Sequence, residues 1–206
     1  MFSKKYFLMA CLSVFVLMSC TGNKTDNREQ TNEELNSEAL LEGEASENAD
    51  DERGYIVKVG DMAPDFEMTL SNGERVQLSS LRGKVVMLQF TASWCGVCRK
   101  EMPYIESDIW AKHKDNADFA LYGIDREEPV EKINELIEKT GVTYPIGLDP
   151  EADIFKLYAE EKAGITRNVI IDRDGRIVML TRLFEMDEFN EMVGGIVQVI
   201  DGLLEK

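Results

Sequence analysis

The segment Val85-Val86-Met87-Leu88-Gln89-Phe90 is apolar at every position but one. A strand with one wet face alternates apolar and polar side chains, so a run without alternation needs cover on both sides. That requirement points to a layered α/β domain with this strand at its centre. The rest of the chain supplies the layers. Further strands are expected at residues 119–124, 144–148, 168–171 and 177–181, the last two flanking the hairpin signature Asp172-Arg173-Asp174-Gly175-Arg176. Helices are expected to begin just after Cys95, over 128–140 with Val130, Ile133, Leu136 and Ile137 on one face and Gly141 as the stop, over 153–160, and over 185–204. Residues 65–70 and 75–78 flank the turn Ser71-Asn72-Gly73-Glu74 and read as an N-terminal β-hairpin. The expected architecture is α/β, a mixed central sheet flanked by helices on both faces with that hairpin as an extension.

Ahead of this domain the chain changes character twice. Lys4 and Lys5 precede a stretch from Tyr6 to Met18 that is apolar but short for a bilayer, as in a secretory signal. The residues Leu17-Met18-Ser19-Cys20 that close it resemble the lipobox of bacterial lipoproteins. That resemblance implies removal of residues 1–19 and acylation of Cys20, which holds a protein on a membrane without a helix of its own. An uncleaved anchor, or cleavage elsewhere with Cys20 a bystander, are the competing readings. From Thr21 to about Gly54 the sequence is polar and acidic and has no aromatic residue. It offers too little apolar surface to offset the entropy of ordering, so residues 20–54 are expected to form a disordered acidic tether with an r.m.s. span of roughly 30 Å. The folded domain is expected over residues 55–206. Asp and Glu outnumber Lys and Arg by 39 to 23, a formal net charge of −16. Nucleic acid is bound through clustered cations, so this balance argues against it as a partner.

In the lipoprotein reading Cys11 leaves with the signal and Cys20 is blocked, leaving Cys95 and Cys98 as the only free thiols. They follow the central strand at the expected start of a helix. There, unpaired backbone N–H groups and the helix dipole favour a thiolate on the first cysteine, while the second lies a turn inside and is more shielded. Two intervening residues allow the sulfurs to bridge and the small ring to reopen. Zinc is the competing use of such a pair, but it takes four ligands; no second pair exists, and the only histidine, His113, falls in a polar helical stretch. Asp172 and Asp174 lack the remaining ligand series of a calcium loop and read as part of a hairpin turn.

The segment Phe90-Thr91-Ala92-Ser93-Trp94-Cys95-Gly96-Val97-Cys98-Arg99-Lys100-Glu101-Met102-Pro103 resembles the active-site segment of thioredoxin-like proteins, and more narrowly the extracytoplasmic TlpA/ResA group. Val59-Gly60-Asp61-Met62-Ala63-Pro64-Asp65-Phe66 and Leu78-Ser79-Ser80-Leu81-Arg82-Gly83-Lys84 are similar to entry segments of that group and of redoxins generally. The resemblance extends over residues 57–205. It implies a thioredoxin-like fold and thiol–disulfide exchange, with Cys95 as nucleophile and Cys98 as resolving thiol. Trp94 is expected to pack beside the disulfide. Glu101, one turn past Cys98, matches an acidic residue held near the cysteines, where it would exchange a proton with the resolving thiol or raise its pKa; an exposed helix residue is the plain alternative. Gly96-Val97 stands where thioredoxins have Gly-Pro, a difference that shifts the balance of dithiol and disulfide. Thr166 stands where the family has a cis-proline facing the cysteines; its hydroxyl is expected to hydrogen-bond the Cys95 sulfur. Capture of a soft metal or an iron–sulfur cluster between two protomers is the lesser alternative. Arg167 beside it favours a thiolate or an acidic partner, or is simply a solvated loop residue.

The expected activity is that of an extracytoplasmic, membrane-anchored protein disulfide reductase or exchanger, using no cofactor and no bound metal. The resemblance implies protein disulfides as substrates, a membrane electron donor, and a place in the bacterial cell envelope, lipid-anchored and facing the periplasm. A monomer is the default. Two other functions compete. A peroxiredoxin-like peroxidase has Thr or Ser three residues before its reactive cysteine, where this chain has Ala92. A binding protein or copper chaperone of the same fold would carry wider cysteine spacing and a distant histidine near the domain end, and neither is present.

Overall fold

The computed structural model describes residues 53–202. The signal segment, Cys20 and most of the expected tether lie outside those residues. The apolar run forms strand β3 (Val85–Thr91), buried at all seven positions. On one side it pairs in parallel with β4 (Phe119–Arg126), and on the other antiparallel with β6 (Arg167–Ile171). Outward from β6 lies β7 (Ile177–Arg182), antiparallel across the turn expected at 172–176. Outward from β4 lies parallel β5 (Ile146–Asp149), followed by the hairpin of β1 (Glu67–Leu70) and β2 (Arg75–Gln77). The seven strands run in the order β2-β1-β5-β4-β3-β6-β7. The hairpin extension is thus joined to the central sheet through β5.

Alternation along β3 and β4 sends side chains to two cores. Val86, Leu88 and Phe90 face one of them, with Phe66, Phe155 and Tyr158; the rings of Phe155 and Tyr158 lie 5.6 and 5.5 Å from that of Phe90. This face is covered by helix α4 (Asp153–Tyr158), a short 3-10 turn at Leu78–Leu81 and the segment entering β1. Val85, Met87 and Leu121 face the other core, beneath α1 (Gly96–Tyr104), α3 (Val130–Thr140) and α5 (Met186–Ile200). Burial of this kind contributes about 1.5–3 kcal/mol per large aliphatic or aromatic side chain, so the sheet sandwiched between helices is the main source of stability. Among the described residues no helix is long and apolar enough to cross a membrane.

Two features of the helices have clear causes. Helix α1 does not stop at Pro103 but continues through a wide π-helical segment, Ile105–Trp110, into α2 (Ala111–His113). A proline lacks the N–H that an α-turn needs and its ring crowds the preceding turn, strains that widened turns can relieve. The helix expected from residue 128 begins instead at Val130, because Pro129 adopts an extended conformation as its N-cap. Glu128 is therefore outside the helix and available for another contact. Gly141 closes α3 in the left-handed conformation expected of it, at φ 70°.

Candidate active site

The turn between β3 and α1 delivers Cys95 to the helix N-cap, where its sulfur accepts a hydrogen bond from the Cys98 backbone N–H at 3.1 Å. The two cysteines are joined in a disulfide, with Cα atoms 5.3 Å apart. Cys95 retains 7% exposure and Cys98 none. The two sulfurs are therefore unequal: one is reachable and sits on unpaired helical N–H groups, the other is sealed beneath it. Thr166, at the entry to β6, places its hydroxyl oxygen 3.3 Å from both sulfurs. Disulfide sulfur has no proton, so the hydroxyl is the donor. The backbone carbonyl of Thr166 accepts from Leu183 N–H at 3.1 Å, which ties this loop to the end of β7.

One turn beyond Cys98, Glu101 is 1% exposed and is not the surface residue its polar neighbours suggest. Asn168 donates to it at 2.7 Å and Gln89 at 3.2 Å. The Tyr144 hydroxyl donates to the Gln89 carbonyl oxygen at 2.6 Å, which turns the Gln89 amide nitrogen toward the carboxyl. Asn168 spends a second bond on Thr181, at 3.0 Å. Burial pushes the Glu101 pKa up to about 7, with a smaller push from the Glu188 carboxylate, while the Asn168 and Gln89 bonds pull the other way. A carboxyl titrating there can hold or release a proton at neutral pH.

Sequence reasoning missed Gln89, Tyr144 and Asn168. A signal did exist, since Gln89 is the one polar residue in the run that requires burial, and Asn168 opens another such run. A buried amide has to find partners.

The remaining expected residues divide. Trp94 is beside Cys95 in the chain but 60% exposed, and Gly96 and Val97 are exposed at the same rim. Arg167 corrects the expectation of a solvated loop residue: it is fully buried. Its Nε donates to the Gly164 carbonyl at 2.8 Å, its Nη2 donates to the Arg53 carbonyl, and its guanidinium lies 4.3 Å over the Tyr55 ring. It thus fastens the N-terminal segment to β6. Among the described residues no group of three or more His, Cys, Asp or Glu side chains is arranged to hold a metal.

A reversible cysteine pair capping a helix at the end of the central strand of a thioredoxin-like sheet defines the class of thiol–disulfide oxidoreductases. Residues 58–196 match the Redoxin family, and the chain belongs to it. It is 28% identical over 131 residues to the thiol-disulfide oxidoreductase ResA of Bacillus thuringiensis, covering 61% of this chain and 73% of that protein. A solution structure from Bacteroides thetaiotaomicron, of a protein proposed to be a disulfide isomerase, is 68% identical with a TM-score of 0.70, covering 72% of this chain and 93% of the other. A crystal structure from Chlorobium tepidum, of a protein proposed to be the thiol:disulfide interchange protein DsbE, is 26% identical with a TM-score of 0.60, covering 72% and 99%.

Proposed function

We propose that this oxidoreductase is a lipid-anchored, extracytoplasmic protein disulfide reductase or exchanger. The observation that carries the reading is the inequality of the two sulfurs, Cys95 at the helix N-cap and within reach, Cys98 enclosed. In the reduced state the Cys95 thiolate attacks one sulfur of a client disulfide. A mixed disulfide forms, and the displaced client sulfur leaves as a thiolate that takes up a proton. Cys98 then loses its proton and attacks Cys95, releasing the second client thiol and closing the Cys95–Cys98 disulfide. Two electrons have passed to the client, and a membrane electron donor returns them.

Glu101 serves as the proton acceptor for Cys98: it follows one turn later on α1, and its raised pKa suits it to take a proton from a thiol at neutral pH. Thr166 stabilises the anionic sulfur through its hydroxyl. Trp94 and Val97 form the apolar rim against which a client segment rests. Acylation of Cys20 and an acidic tether over residues 20–54 keep the domain at the membrane of the bacterial envelope, facing the periplasm. The sequence supports this through its charged, short apolar N-terminus ending at Ser19-Cys20.

The test is the reduction potential of the Cys95–Cys98 couple, read by thiol trapping after equilibration in dithiothreitol or glutathione buffers. A value near or below about −250 mV supports a reductase, a value near about −120 mV makes the protein an oxidant, and failure to cycle removes the oxidoreductase reading.

A further inference from the structure

Three unusual features converge on the turn that carries Cys95. Ser93 is bound on every polar atom: Glu128 accepts from its backbone N–H and, at 2.6 Å, from its hydroxyl, while Arg99 donates to its carbonyl at 2.6 Å. Glu127, just before Glu128, is held at φ 62°, a conformation that a non-glycine residue adopts at a cost of order 1 kcal/mol or more. Its backbone is fixed there by the Asp149 carbonyl at 2.9 Å, and Arg126 is fixed by a stack 4.3 Å from Phe155 and a bond to the Glu161 carbonyl. The third feature is Asp125, paired in register with Thr91 at the end of β3 and fully buried. No N–H or O–H of the described residues reaches its carboxyl oxygens, and its side chain lies within hydrogen-bonding reach of the Glu128 carboxylate.

We propose that Asp125 and Glu128 form a proton-controlled clamp on the Ser93–Cys95 turn, with Glu128 as the positioning residue and Asp125 as its switch. While Asp125 is neutral, the Glu128 carboxylate holds both Ser93 donors. When Asp125 loses its proton to solvent, a second negative charge arises beside Glu128 in a poorly solvated space, and the clamp loosens. Burial, then the Glu128 charge and a hydrogen bond from the neutral Asp125 carboxyl to Glu128, hold the Asp125 pKa up at about 8, which puts the switch in an accessible range. The other charges around the turn are Arg99, held on the Ser93 carbonyl, and Arg126, whose Nε is 2.9 Å from Glu127. Glu101 lies on the same face of the sheet but is engaged by Gln89 and Asn168.

The clamp deepens the reading of Cys95 as the attacking sulfur, yet its test does not depend on turnover. In the oxidised protein, where neither cysteine titrates, the backbone amide resonances of Ser93 and Trp94 are followed by NMR from pH 6 to 9.5, in a Glu101→Gln background that removes the other buried acid. The expected result is a titration with a midpoint near 8 that disappears in Asp125→Asn. Glu128→Gln, measured at pH 6.5, is expected to lower the exchange protection of the Trp94 and Cys95 amides about tenfold, the worth of one charged hydrogen bond. Flat amide shifts across the range, or a titration that survives Asp125→Asn, overturn the clamp. If the couple fails to cycle while the amides titrate as expected, the exchange reading falls and the clamp stands.

Discussion

Glu101 and Asp125 are both buried acids on the α1 face of the sheet, and they are furnished in opposite ways. Glu101 receives hydrogen bonds from Asn168 and Gln89, each oriented by a further partner; Asp125 receives none from the described residues. Their pKa values follow, about 7 for Glu101 and about 8 for Asp125, from ordinary values of 4.5 and 3.8. Burial raises both, and donors return part of the cost only to Glu101. The contrast separates an acid whose charged form is held by two donors from one whose charged form is not, so Asp125 gives up its proton at the higher pH.

The contrast breaks most visibly in Asn168→Ala, which takes from Glu101 its shorter bond. At pH 8, where Glu101 is ionised, urea unfolding is expected to show a loss of about 2–3 kcal/mol, with a smaller loss at pH 5. Equal losses at the two pH values would mean that Asn168 supports packing and not the charge.

Asp125→Asn tests the other side. Between an unfolded value of 3.8 and a folded value of about 8, the native protein binds the extra proton. Asp125 therefore lowers stability progressively as pH rises through that window, with no further change above it. The substitution is expected to leave stability near that of the parent at pH 4 and to raise it above the parent's by a margin that grows steadily up to pH 8–9. Glu101 acts in the same direction between 4.5 and about 7, so the parent's melting temperature should fall as pH rises from 5 to 8. A rising melting temperature over that range would refute both assignments.

Tyr144→Phe is the smallest change. It frees the Gln89 amide to turn away from Glu101, with an expected cost of about 0.5–1.5 kcal/mol and a further rise in the Glu101 pKa, followed by the carboxyl carbon resonance.

The elements and the mixed, helix-covered sheet could be anticipated from patterns that are local: the unbroken run at 85–90, the turn at 172–176, the glycine after Thr140. The cysteine pair was equally plain, since spacing and placement specify its chemistry without distant partners. The surroundings of the pair were harder to read. Gln89 meets Tyr144 across 55 residues, and Glu101 meets Asn168 across 67; no periodicity reports such encounters. Glu128 looked like the first residue of an amphipathic helix, because the α-period admits it and only the extended Pro129 excludes it. Arg167 looked solvated because arginines in loops are, whereas this one lies under the N-terminal segment.

The Thr166 hydroxyl has one proton and two sulfurs at equal distance, so it can point at only one of them at a time. In the disulfide the two directions are nearly equivalent. Once charge collects on either sulfur they are not, and the O–H turns toward it with almost no movement of heavy atoms. The side chain then works as a compass needle for the electron inventory of the pair, and the infrared O–H or O–D stretch of a single threonine would report, without any label on the cysteines, which sulfur carries the negative charge at each stage of exchange.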